Sequence, residues 1–112
     1  MANSFTYKIT SENELFTFNY SQVLDPAETI SSATCTAITL NGVDPNPSAI
    51  LVGSPVISGA NVSQRVYNGL NEVTYRLEMT ATTSYGNVYT AIGDLPVYTA
   101  DSSFAATRRQ GY

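Results

Sequence analysis

The chain has 112 residues, of which 43% are hydrophobic and 12% charged, and five basic side chains stand against nine acidic ones for a net charge of −4. That length gives one domain, since two would each be too small to bury a core without disulfide or metal support. The acidic balance repels a phosphate backbone and an anionic bilayer alike, which argues against nucleic-acid and membrane partners.

In chain order, "SFTYKIT" (4–10) alternates Phe5, Tyr7 and Ile9 with Thr6, Lys8 and Thr10. That predicts a half-buried strand with Lys8 on its polar side. "LFTFNY" (15–20) is a second run of strand formers, and "VLDPAETI" then turns, because Pro26 fixes its own φ and pushes Asp25 into extended geometry. Asp25 and Glu28 around Pro26 have helix-cap spacing, yet too few helix formers follow for more than one turn. "ISSATCTAITL" (30–40) predicts a strand with Ile30, Ala33, Cys35, Ala37 and Ile38 as its apolar members. "NGVDPNPS" (41–48) is an exposed loop. "AILVGSPVISG" predicts two short extended pieces split by Gly53 and Pro55, and "ANVSQRVYNG" a strand with Val62 and Val66 on one face. From Val73 to Thr82 the period is two without a break: Val73, Tyr75, Leu77, Met79 and Ala81 point one way, and Thr74, Arg76, Glu78, Thr80 and Thr82 the other. "SYGN" turns the chain and "VYTAIGDLPVYT" (88–99) returns as a hairpin partner, with a bulge expected at Gly93-Asp94.

About seven short strands with regular turn signals predict an all-β fold, an immunoglobulin-like antiparallel β-sandwich over residues 1–99. Within it, "YRLEMTATTSYG" resembles the sixth strand of immunoglobulin-like domains, where a Tyr precedes an inward core residue by two positions. Tyr75 and Leu77 take those places, although the chain has no Trp and one cysteine, so it is not an antibody-type domain.

Residue types able to do chemistry are few and scattered. The absence of histidine removes Ser-His, Cys-His and most zinc arrangements. Cys35 sits mid-strand among Ala and Thr and reads as a small hydrophobe rather than a nucleophile. Glu12, Glu14, Asp25 and Glu28 read as solvated loop carboxylates without calcium-loop spacing. The glycines are scattered singly, so no phosphate-cradling loop is present. No catalytic, cofactor-binding or metal residue is assigned, and no cofactor is expected. Nothing at the N-terminus resembles a signal peptide, and the expected place of synthesis is a cytoplasm.

Residues 100–112, "ADSSFAATRRQGY", follow the last strand without alternation. Arg and Tyr are favoured anchors at interfaces, so Phe104, Arg108, Arg109 and Tyr112 are the candidate partner-docking residues of a C-terminal interaction arm. A basic arm on an acidic body suits the acidic face of a neighbouring copy.

Residues 23–97 resemble a family of short tailed-bacteriophage proteins. The family's "L-x-x-x-E-T-I-x-S-A-T" is matched by Leu24, Glu28, Thr29, Ile30, Ser32, Ala33 and Thr34. Its "G-x-x-V-S-Q-x-V" is matched by Gly59, Val62, Ser63, Gln64 and Val66. Its "Y-x-L-x-x-x-A-T-T-S-x-G" is matched by Tyr75, Leu77, Ala81, Thr82, Thr83, Ser84 and Gly86. Cys35 stands where the family pattern has Trp, which implies a smaller core. The family is described as immunoglobulin-like virion proteins and fibre-tail adaptors near the head-to-tail junction.

The resemblance implies a non-enzymatic virion protein, made in the host bacterial cytoplasm. It would join tail fibres to the head-to-tail connector or tail tube, with other virion proteins and copies of itself as partners. A capsid decoration or head-fibre protein is a second reading. A carbohydrate-binding surface module, with Tyr67, Tyr85, Tyr89 and Tyr98 as aromatic platforms, is a third.

Overall fold

Strands that alternate in polarity leave an apolar face to be covered, and in this chain two sheets cover each other. The computed structural model describes residues 2–5 and 7–99. Its strands are β1 (Ala2–Ser4), β2 (Lys8–Ile9), β3 (Asn13–Asn19), β4 (Ile30–Asn41), β5 (Leu51–Ser58), β6 (Asn61–Tyr67), β7 (Val73–Thr83) and β8 (Val88–Tyr98), with a 3-10 turn at Pro47–Ile50. One sheet runs β1-β8-β7-β4, with β2 also lying along β8, and the other runs β3-β6-β5.

The strongest sequence signal gives the central strand. Along β7, residues 73, 75, 77, 79, 81 and 83 are buried and those between them half-buried. With β8 it forms a continuous antiparallel hairpin from Val73 opposite Val97 to Thr82 opposite Val88. Tyr75, Leu77, Met79 and Ala81 meet Phe18, Val62 and Val66 of the second sheet in one core. Cys35 packs half-buried against it. Tyr20, fully buried, donates its hydroxyl to the Met79 carbonyl at 2.6 Å.

Several expectations need correction. The first run is two short strands, and both pair parallel to β8 (Ala2 with Ile92, Lys8 with Val97), whereas every other pairing among the described residues is antiparallel. Lys8 does not face solvent. It is fully buried, and its Nζ donates to the carbonyls of Ile9 (3.0 Å), Thr10 (3.2 Å) and Asn68 (2.7 Å). Three carbonyls accept from its three donors, which is what permits a buried ammonium in that place.

Gly93-Asp94 is not a bulge, because the β7–β8 register runs through it with Leu77 opposite Gly93. The glycine has another reason. A Cβ at Gly93 would lie 2.4 Å from the Phe5 ring, which sits on it and meets Phe16 and Phe18 at centroid distances of 4.8 and 5.5 Å. Residues 51–58 form one strand rather than two, with a register shift between Val52 and Val56. There the buried Gln64 inserts its Nε2 and donates to the carbonyls of Val52 (3.1 Å), Gly53 (3.2 Å) and Arg65 (2.9 Å). Ile38, expected on the apolar side of β4, is 43% exposed, because Ala33, Cys35 and Ala37 fix the inward parity and leave Ile38 outside.

Candidate functional site

The sandwich has two ends, each tied by one carboxylate. At the end of the β7–β8 turn, Glu28 is buried rather than solvated, which corrects the loop-carboxylate reading. Its Oε1 accepts from the Asp25 amide (2.9 Å), and its Oε2 accepts from the Thr83 hydroxyl and from Asn87 Nδ2 (2.9 Å). These bonds, that from Thr83 foremost, hold the carboxyl below the usual carboxylate range. Beside it the Ser84 amide donates to the Thr29 carbonyl (2.7 Å) and the Thr29 amide to Ser84 Oγ (3.0 Å). The helix-cap spacing of Asp25 and Glu28 is thus used without a helix. It clasps the link before β4 to the hairpin, and the "E-T-I" and "T-T-S-x-G" motifs meet in that clasp.

At the opposite end, the Tyr75 hydroxyl donates to Asp44 Oδ2 (2.6 Å) and accepts from the Leu70 amide (2.9 Å). A tyrosine near the start of its strand is thereby bonded back to the corner that precedes it. Burial, then the bond to Asp44, pushes its pKa up to about 12. Asp44, Asn46, Ala49, Ile50, Asn68, Gly69 and Leu70 line a cleft of about 340 Å³ here. The chain leaves β8 at the same end, where the Thr99 amide donates to Asn71 Oδ1 (2.9 Å). Lys8 sits behind this corner, its pKa lowered by burial against the opposing pull of Glu12 and Glu14.

Between the ends, the outer face of the β8-β7-β4 sheet carries polar pairs at cross-strand distance. Arg76 grips Asp94 through Nε–Oδ1 (2.8 Å) and Nη2–Oδ2 (3.2 Å), Thr80 and Thr90 share a hydroxyl bond of 3.2 Å, and Thr36 donates to Glu78 at 3.4 Å. The Arg76–Asp94 pair lowers the Asp94 pKa and raises that of Arg76. On the inner side, burial lifts the Cys35 thiol to about 11, so the thiolate that nucleophilic chemistry requires is scarce at neutral pH. Among the described residues, no three Cys, Asp or Glu side chains gather as a metal site would need.

Phe104, Arg108, Arg109 and Tyr112 lie outside the described residues. The four platform tyrosines are not brought together. Tyr85 and Tyr89 stand by the β7–β8 turn, whereas Tyr98 ends β8, nine residues beyond Tyr89 or about 30 Å along a strand. Tyr98 is occupied by an edge contact with the Tyr7 ring at 6.0 Å, and Tyr67 ends β6.

Comparison with known proteins gives one family. Residues 8–92 match the family model Gp77, described as podophage GP4 fiber-tail adaptor protein gp77. No curated protein matches. Among solved structures, a 2,6-sialyltransferase from Vibrionaceae Photobacterium sp. JT-ISH-224 is similar at 14% identity and a TM-score of 0.43, over 88% of this chain and 18% of that one. The chain thus spans less than a fifth of that enzyme, and a likeness at that level carries no argument about activity.

Proposed function

The chain belongs to the podophage GP4 fiber-tail adaptor family, and from that premise we propose that it joins tail fibres to the head-to-tail connector or tail tube by protein–protein contacts. Membership makes it a structural phage protein, a component of the virion that touches other virion proteins. The family match carries this reading, because it covers the sandwich from β2 into β8. The motif residues at the hairpin end are used in holding that scaffold. Glu28, Thr29, Thr83 and Ser84 clasp loops to each other, so recognition falls to surfaces the motifs do not consume. The immunoglobulin-like reading of the fold is supported by the bond that ties Tyr75 to the corner before it and by the division of strands into β8-β7-β4 and β3-β6-β5.

The docking element in this reading is the arm 100–112, with Phe104, Arg108, Arg109 and Tyr112 as anchors on a neighbouring virion protein. Its support is its position and its charge. The family match ends before it, and it carries two of the five basic residues. The test is deletion of residues 101–112, followed by thermal melting and by capture on purified connector–tail particles and on purified fibres. The truncated chain is expected to melt within a degree or two of the full chain and to be captured by neither. Undiminished capture would refute the arm, and a large fall in melting temperature would mean that it packs on its own sandwich.

A further inference from the structure

The cleft beside Tyr75 holds a charge without a counter-charge. From Thr29 to Gln64 the only charged side chain is Asp44, and among the described residues no base is paired with it. Its carboxylate is half-buried and fixed in place, Oδ2 accepting from the Tyr75 hydroxyl (2.6 Å) and Oδ1 from the Asn46 amide (2.9 Å). A carboxylate offers about four acceptor positions, so about two are left over on a residue that lines the cleft.

Much of the remaining lining is apolar or small. Ile50 is buried at its base, Ala49 and Gly69 add no polar side chain, and Leu70 is 47% exposed on its wall. An apolar floor with a held carboxylate at its margin is the complement of an aromatic ring close in sequence to a guanidinium. The volume of about 340 Å³ lies at the small end of the roughly 300–1,000 Å³ of ligand clefts, which suits side chains rather than a bulky ligand.

The chain itself carries that pair of groups. The described residues end at Thr99, whose amide is bonded to Asn71, next in sequence to Leu70 on the cleft wall. Phe104 follows five positions later and Arg108 nine, with reaches of up to about 17 and 30 Å.

We propose that in the isolated chain the arm 100–112 lies in the chain's own cleft, Phe104 against Ile50 and Leu70, and Arg108 or Arg109 on Asp44. The occupant follows from tethering and charge. An arm anchored beside the rim is present at its own cleft at an effective concentration of order mM. The arm of a second copy must arrive on a body that also carries −4 and is repelled. This builds on the reading of the arm as the docking element: its anchors rest covered until a neighbouring virion protein takes them over. The hold is weak. With a dissociation constant also of order mM, about half of the clefts are filled, which moves the melting temperature by about a degree or two.

The test is disulfide trapping in the full chain with no virion protein present. Cys35→Ala/Ala49→Cys/Ala105→Cys pairs the cleft with the neighbour of Phe104. Cys35→Ala/Ser11→Cys/Ala105→Cys pairs the arm instead with an exposed turn that is also close to the end of β8, since the Thr10 amide donates to the Tyr98 carbonyl. The first is expected to oxidise about tenfold faster than the second, to a monomeric product, at a rate unchanged on dilution. Adding Phe104→Ala, or Arg108→Ala/Arg109→Ala, should slow the first severalfold and leave the second as it was. Equal rates, a dimeric product that reports the arm of a second copy, or a rate indifferent to the arm substitutions each overturns the proposal. Trapping reads the isolated chain and capture reads the particle, so either can fail while the other stands.

Discussion

Gly93→Ala offers a prediction whose sign depends on a single distant side chain. The backbone at Gly93 is not in the left-handed region, so alanine can adopt it. On conformational entropy alone the substitution should stabilise by about 0.4–1 kcal/mol. The new Cβ would, however, lie 2.4 and 3.0 Å from two atoms of the Phe5 ring, and that ring is held by Phe16 and Phe18. Overpacking of this kind costs about 1–3 kcal/mol, so the net expectation is a loss of about 1–2 kcal/mol. Phe5→Ala removes the obstacle at its own cost of about 2 kcal/mol, since the ring is only partly buried. In that background Gly93→Ala should become neutral or stabilising. Urea unfolding of the four proteins closes the cycle, with a coupling of about 2 kcal/mol between residues 88 positions apart in sequence. Additive effects, within about 0.5 kcal/mol, would show that the ring does not rest on Gly93.

Three further expectations concern the polar ties. Tyr75→Phe removes the hydroxyl shared by Asp44 and the Leu70 amide; a loss of about 2 kcal/mol is expected in urea, with faster exchange of the Leu70 amide proton. Gln64→Leu leaves three carbonyls without their donor and should cost about 2–3 kcal/mol, although its apolar volume is well tolerated. Glu28→Gln should lower the melting temperature at pH 7, by an amount that shrinks as the pH falls below 4.5. The folded state depresses the Glu28 pKa, so its stabilisation is full above the ordinary value of 4.5 and is lost as pH falls through the lower, folded value. Melting curves of the two proteins should therefore converge at the acid end, and a constant gap would mean that the charge on Glu28 is irrelevant to the clasp.

What the sequence discloses follows from how local each cause is. β7 is legible because its pattern is local: side chains two apart share a face, and ten residues in a row say so. The inward placement of Tyr75 and Leu77 is legible for the same reason, since both stand on one strand, whereas the bond from Tyr75 to Asp44 is not. Lys8 is not, because what makes its burial tolerable is the Asn68 carbonyl, which only the folded chain brings near. Glu28 escapes for a similar reason, with Thr83 and Asn87 on a distant hairpin. Gly93 looks like a bulge because glycine in a strand has two common causes, and the second, a ring lying on the backbone, is invisible until Phe5 is placed. Ile38 shows a subtler limit. In a strand of Ser, Thr and Ala, its own hydropathy predicts burial, whereas parity set by its neighbours places it outside.

The parallel pairing of the first strands with β8 has a mechanical consequence. If tension enters at Ala2 and leaves at Tyr98, the two strands are pulled in opposite directions along their common axis. The bonds between them, among them Phe5 amide to Asp94 carbonyl (3.0 Å) and Thr10 amide to Tyr98 carbonyl (2.8 Å), then carry the load together in shear. An antiparallel pair pulled from its open end would instead unzip, its bonds breaking in succession. The Lys8 ammonium, anchored to the Asn68 carbonyl of another loop, must also slide before the strand can move. A sandwich closed in this way resists a pull on its ends more strongly than its few terminal bonds would suggest.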